Sequence, residues 1–115
     1  EPRMSISRDT APHYIWGAAG DGWHLVEGAD LSVIEERMPP GTSETRHSHA
    51  QARQFFYVLG GALTLERDGT RHVLTIGQGI EIAPGTPHQA LNEGDADAVF
   101  LVISSPRAQT DRQPA

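Results

Sequence analysis

The sequence predicts an all-β domain, on three observations. Twelve glycines and eight prolines punctuate the 115 residues at short intervals. No stretch keeps a helical period of apolar residues for three turns. Between the glycines and prolines lie apolar or alternating runs of four to seven residues at roughly even spacing, the pattern of a sandwich or barrel.

The elements follow in order. Leu31-Ser32-Val33-Ile34 opens a strand that Pro39-Pro40-Gly41 stops. Phe55-Phe56-Tyr57-Val58-Leu59 is a second strand, broken by Gly60-Gly61. Ala62 to Glu66 and His72 to Ile76 flank Asp68-Gly69, a dipeptide that favours a type I′ hairpin turn. Gly79 to Ile82 is short and ends at Ala83-Pro84-Gly85. His88 to Asn92 leads to the turn Glu93-Gly94-Asp95, and Ala98 to Ser104 reads as a buried strand. Near the N-terminus, Tyr14-Ile15-Trp16 is expected to pair across to the sheet of a second copy, making a homodimer. One barrel over 13–104 is expected, with a flexible or edge-covering arm at 1–12 and a polar tail at 105–115.

Composition removes several function classes. There is no cysteine, hence no disulfide, thiolate metal site or thiol nucleophile. All nine basic side chains are arginine, so a lysine Schiff base and a phosphate-loop lysine are excluded. A formal charge of −6 argues against nucleic acid as a partner. The longest apolar run, Ala98 to Ile103, falls far short of the roughly 20 residues a membrane span needs. No secretory signal pattern is seen, and the expected compartment is the cytoplasm.

Chemistry concentrates in three of the six histidines. His47 and His49 are two apart, so on a strand their imidazoles share a face. His88 directly follows the turn Pro84-Gly85-Thr86-Pro87, which can deliver a third imidazole to that face. Gln54 lies at odd separation from both members of the pair. It reaches the same cavity only if Ala50-Gln51-Ala52 breaks the strand.

These residues carry a family resemblance. Gly41-x5-His47-x-His49-x4-Gln54-x6-Gly61 resembles the first cupin motif, with Gln54 where the family has glutamate. Gly77-x5-Ala83-Pro84-Gly85-x2-His88-x3-Asn92 resembles the second, with Ala83 where proline is usual. The resemblance implies a cupin-type double-stranded β-helix, a small antiparallel β-barrel or jelly roll. It also implies one divalent transition metal ion (Fe, Mn, Co, Ni or Zn) held by His47, His49, His88 and Gln54. Imidazole with an oxygen donor suits all of these metals. A glutamine oxygen cancels none of the metal charge, which weakens binding and strengthens Lewis acidity.

Around this set the sequence offers only candidates. Glu35 and Arg37 share one strand face and would be charged pocket residues if that face looks inward; the alternative is a solvated face. Phe56 and Phe100 are pocket candidates whose alternative is core packing. His13, His24 and His72 have no motif support, with His72 expected at the surface beside the hairpin, and Asn92 reads as a turn or capping residue. No catalytic residue is assigned. The expected function is a metal-dependent enzyme acting on a small oxygen-rich metabolite by Lewis-acid chemistry, of isomerase or lyase type. The alternatives are an Fe(II)- or Ni(II)-dependent dioxygenase and a non-enzymatic small-ligand-binding module.

Overall fold

The computed structural model describes residues 5–17, 19–108 and 111–115. Every element in them is a strand: β1 His13–Trp16, β2 Gly20–Glu27, β3 Ser32–Met38, β4 His47–His49, β5 Arg53–Gly60, β6 Leu63–Arg67, β7 Thr70–Leu74, β8 Gly79–Ile82, β9 His88–Leu91, β10 Ala98–Ser105 and β11 Arg112–Pro114. They form two antiparallel sheets, ordered β1-β2-β3-β10-β5-β8 and β11-β4-β9-β6-β7. Among the described residues no helix is long and apolar enough to cross a membrane.

Alternation decides which residues face the space between the sheets. Phe56 and Val58 on β5, Ile34 and Met38 on β3, Ala98, Phe100 and Val102 on β10, and Ile80 and Ile82 on β8 are all buried. From the other sheet Leu63, Leu65, Leu74 and Ala90 meet them, and Trp16 packs against the cluster. The opposite face of the six-stranded sheet leaves Phe55 and Leu59 exposed. The hairpin between β6 and β7 turns at Asp68 (φ 52°) and Gly69 (φ 92°), the two left-handed residues that a type I′ turn requires.

Segments towards both termini are built into the sheets. β1 pairs with the chain's own β2, with Tyr14 opposite Gly22, and stands at the edge of its sheet. Ahead of it, Arg8 reaches across to Glu35, donating from Nε at 2.8 Å, and lies over the Trp23 ring at 4.2 Å. The stretch expected as a polar tail contains β11, which covers the edge of β4 with Arg112 opposite His49 and Pro114 opposite His47.

Candidate metal centre

The three motif histidines converge. His47 and His49 project from β4, His88 begins β9, and His47 is the register partner of His88. All three are buried, and one ligand atom from each lies within 4.8 Å of the other two.

Their hydrogen bonds set which nitrogen is offered. His47 Nδ1 lies 2.8 Å from the Thr45 carbonyl, and His88 Nδ1 lies 2.9 Å from the Thr86 carbonyl. His49 Nδ1 lies 2.9 Å from Asp111 Oδ1. A carbonyl or carboxylate only accepts, so each Nδ1 carries the hydrogen and each Nε2 keeps its lone pair. His88 Nε2 is buried with no hydrogen-bond partner. Burial pushes His47 down to about 4 and also lowers His88, which keeps these rings neutral at ordinary pH.

Gln54 joins from β5, where the turn at Ala50 and Gln51 resets the alternation. Its Nε2 donates to Ser104 Oγ at 3.1 Å, leaving Oε1 buried and without a partner. A buried amide oxygen and a buried imidazole nitrogen with nothing to bond are costly in an interior. The three imidazoles of His47, His49 and His88 could hold a divalent first-row ion, and the unpartnered Gln54 oxygen is a donor type that such a site takes. The Nδ1 contacts supply the orienting outer bonds that such ligands ordinarily have.

A cavity of about 400 Å³ reaches this set through His49 and Gln54. Its walls are mixed: Tyr14, Trp16, Phe56, Ile34 and Val102 are aromatic or apolar, while Glu36, Glu44 and Arg112 bring charge. Tyr14 enters because of a glycine. Tyr14, Gly22 and Glu36 form one cross-strand row over β1, β2 and β3, and a Cβ at Gly22 would overlap the Tyr14 ring. With no side chain between them, Tyr14 leans across and its hydroxyl donates to Glu36 Oε2 at 3.1 Å.

Two carboxyls in one cavity hold protons unusually well. Burial pushes Glu36 up to about 7, with the Tyr14 hydrogen bond working the other way. Burial and the charge of Glu36 push Glu44 up to about 8, although Ala90 N donates to its Oε2 at 2.9 Å. Burial thus favours the protonated form of both carboxyls.

Other positions fall as strand parity dictates. Glu35 and Arg37 do not line this cavity, because Ile34 and Met38 set the inward parity of β3 and make Glu36 the inward acid. Glu35 pairs with Arg8, and Arg37 donates from Nε to Asp21 Oδ2 at 2.6 Å and from Nη1 to Asp97 Oδ2 at 3.1 Å. Phe56 lines the cavity, its ring 5.9 Å from that of His88, whereas Phe100 is fully buried in the core behind it. Asn92 is buried; its Nδ2 donates to the Met38 and Ala96 carbonyls, so it ties a turn to a strand end. His24 lines the cavity, its ring 4.8 Å from Tyr14.

Sequence reasoning missed Glu36, Glu44, Tyr14 and Asp111. For Glu36 a signal existed: Ile34 and Met38 share its parity and are the apolar members of that strand. Gly20 and Gly22, alternating beside an aromatic strand, were a weaker one for Tyr14. Nothing local marked Asp111, whose partners lie some sixty positions away.

Fold and site together define an all-β barrel whose three buried histidines could hold a metal ion. A family model described as a cupin domain matches residues 34–104, and the chain belongs to the cupin family. It is 34% identical over 71 residues to polyketide synthase CurC of Streptomyces cyaneus, covering 62% of this chain and 46% of that one. The chain spans about half the length of the Streptomyces relatives it matches. The structure of KdgF from Halomonas sp. superposes with a TM-score of 0.84 at 21% identity, over 95% of this chain and 97% of that one. The polyketide cyclase RemF from Streptomyces resistomycificus superposes with a TM-score of 0.83 at 20% identity, over 97% and 85%.

Proposed function

We propose that the chain is a divalent-metal-dependent enzyme of isomerase, lyase or cyclase type, acting on a small oxygen-rich carbonyl compound. One observation carries this reading. Three buried imidazoles cluster within 4.8 Å of one another, and one of them, His49, lines with Gln54 a cavity that also holds the carboxyls of Glu36 and Glu44.

A divalent ion held by His47, His49, His88 and Gln54 would supply Lewis-acid polarisation of a substrate oxygen. The remaining work falls to the protein. Trp16, Phe56, Ile34 and Val102 pack against the carbon body of the ligand and exclude water from it. Glu36 and Glu44, both lining the cavity and both raised by burial, can exchange protons with the ligand. Tyr14 holds Glu36 at Oε2 and fixes its direction. Proton abstraction next to a carbonyl is the step shared by isomerisation, dehydration and ring closure, so this wall and donor set suit that family of reactions. The polyketide enzymes among the similar proteins, CurC and RemF, support an oxygen-rich substrate of that kind.

The reading is tested in two stages. Protein purified without an affinity metal column is assayed for bound metal and for uptake of Zn(II) or Co(II), as wild type and as His49→Ala and His88→Ala. Wild type that takes up neither ion sinks the proposal. Loaded protein is then incubated in D₂O with α-hydroxy ketones, and deuterium incorporation at the carbon beside the carbonyl is followed by NMR. Exchange that is lost in Glu36→Gln is the expected result.

Homodimer formation is proposed as well, through the outer face of the six-stranded sheet where Phe55 and Leu59 lie exposed. Light scattering that returns the chain mass of 12.5 kDa refutes it.

A further inference from the structure

Among the described residues, the C-terminal segment supplies the one charged group that touches a candidate ligand by a direct hydrogen bond. His47 and His88 are each held by the backbone carbonyl two residues earlier, at Thr45 and Thr86. His49 instead is held by a side chain from the far end of the chain, Asp111. The second carboxylate oxygen of Asp111 accepts from Gln51 N at 2.8 Å and from Ala52 N at 3.0 Å. Those two amides lie in the break between β4 and β5, the break that returns Gln54 to the inward face. One carboxylate thus fixes both the ring of His49 and the turn that aims Gln54.

The rest of the segment reinforces the contact. β11 pairs with β4 opposite both histidines, and Arg112 Nη2 donates at 3.2 Å to Thr45 O, the same carbonyl that orients His47. Ala108 is buried, and Ala115 N donates to Arg46 O at 3.3 Å, so the segment is tied down on both sides of Asp111.

We propose that Asp111 is a positioning residue of the metal centre, and that docking of the C-terminal strand and metal binding are energetically linked. The inference rests on the metal-binding reading above. His47, His49, His88 and Gln54 are all neutral donors, so the carboxylate behind His49 is the negative charge that makes its Nε2 a stronger donor. The same carboxylate restrains Gln54 through the backbone. Loss of an outer partner of this kind typically weakens metal binding about 10–100-fold, and here two ligands depend on one group.

The test uses the full chain. Zn(II) affinity is measured by competition with a chromophoric chelator, and the Co(II) absorption spectrum is recorded, for wild type and Asp111→Asn. The expected result is at least about tenfold weaker Zn(II) binding with an altered Co(II) spectrum, in a variant whose far-ultraviolet circular dichroism is unchanged. On wild type alone, hydrogen exchange should show slower exchange across 111–115 after Zn(II) loading, beyond the change in the β6–β7 hairpin. Equal Zn(II) affinity in the two proteins overturns the inference and leaves the metal reading intact. If Asp111→Asn does not fold, loading that leaves 111–115 no better protected than the hairpin overturns it equally. Wild type that binds neither ion removes the metal reading itself.

Discussion

Replacing Glu36 by glutamine should stabilise the metal-free protein at pH 8. Burial raises Glu36 from 4.5 to about 7 in the folded chain. Below the unfolded value both states keep the proton and the group contributes nothing adverse. As pH rises towards the folded value, the unfolded chain releases its proton first, and the folded state loses ground. At about 1.4 kcal/mol per unit, the full difference is roughly 3 kcal/mol by pH 8. Glutamine keeps the shape and can still accept from Tyr14, but as a neutral acceptor it forfeits about 1 kcal/mol of that hydrogen bond. The net expectation is a gain of roughly 2 kcal/mol, or a rise in Tm of the order of 8 °C for a domain of this size. Removing the charge of Glu36 also relieves Glu44, which that charge helps to raise.

The pH window matters because the histidines slope the other way. His47 is lowered to about 4, so its contribution is lost as pH falls below its ordinary value near 6.5. Above that value His47 is neutral in both states and drops out. Between pH 6.5 and 8 the wild type should therefore lose stability with rising pH, and Glu36→Gln should lose less. Urea titrations of chelator-treated protein at pH 6.5 and pH 8 measure both. Equal stability of variant and wild type at pH 8 would refute the claim that Glu36 is ionised there against its environment.

Three further outcomes are expected. Gly22→Ala should drive Tyr14 out of its row and away from Glu36, costing about 1–3 kcal/mol in thermal or urea unfolding; no change would mean the ring relaxes without cost. Phe100→Ala empties the fully buried core position behind the cavity and should cost about 3–5 kcal/mol by the same measurement. Gln54→Glu should tighten Zn(II) binding by adding a negative donor while lowering the Tm of the metal-free protein, since it buries a carboxylate among neutral groups. Unchanged affinity in a chelator competition would remove Gln54 from the ligand set.

The strands at 32–38, 53–60, 63–67 and 98–105 and the Asp68-Gly69 turn were legible because each is written in neighbouring residues: apolar alternation, glycine and proline breaks, and a dipeptide that tolerates positive φ. The histidine set was legible for the same reason, since an i, i+2 pair on a strand shares a face whatever surrounds it. β2 was hidden, because Gly20-Asp21-Gly22 opens it and the adjacent Leu25 and Val26 break the alternation. β11 was hidden too, two polar residues and a proline that are a strand only because β4 offers an edge.

The all-β class, the cupin motifs and the three imidazoles that face one another are written in the order of residues along the chain. The company those imidazoles keep comes from the folding of distant segments onto one another. Parity on β3 made Glu36 the inward acid and turned Glu35 and Arg37 outward, and Gly22 let Tyr14 reach Glu36 across an intervening strand. Asp111, brought from the end of the chain, holds His49 and the turn before Gln54. The division has a physical cause. Periodicity and turns are set by contacts between near neighbours, whereas a cavity is lined by whichever residues the register of distant strands brings together.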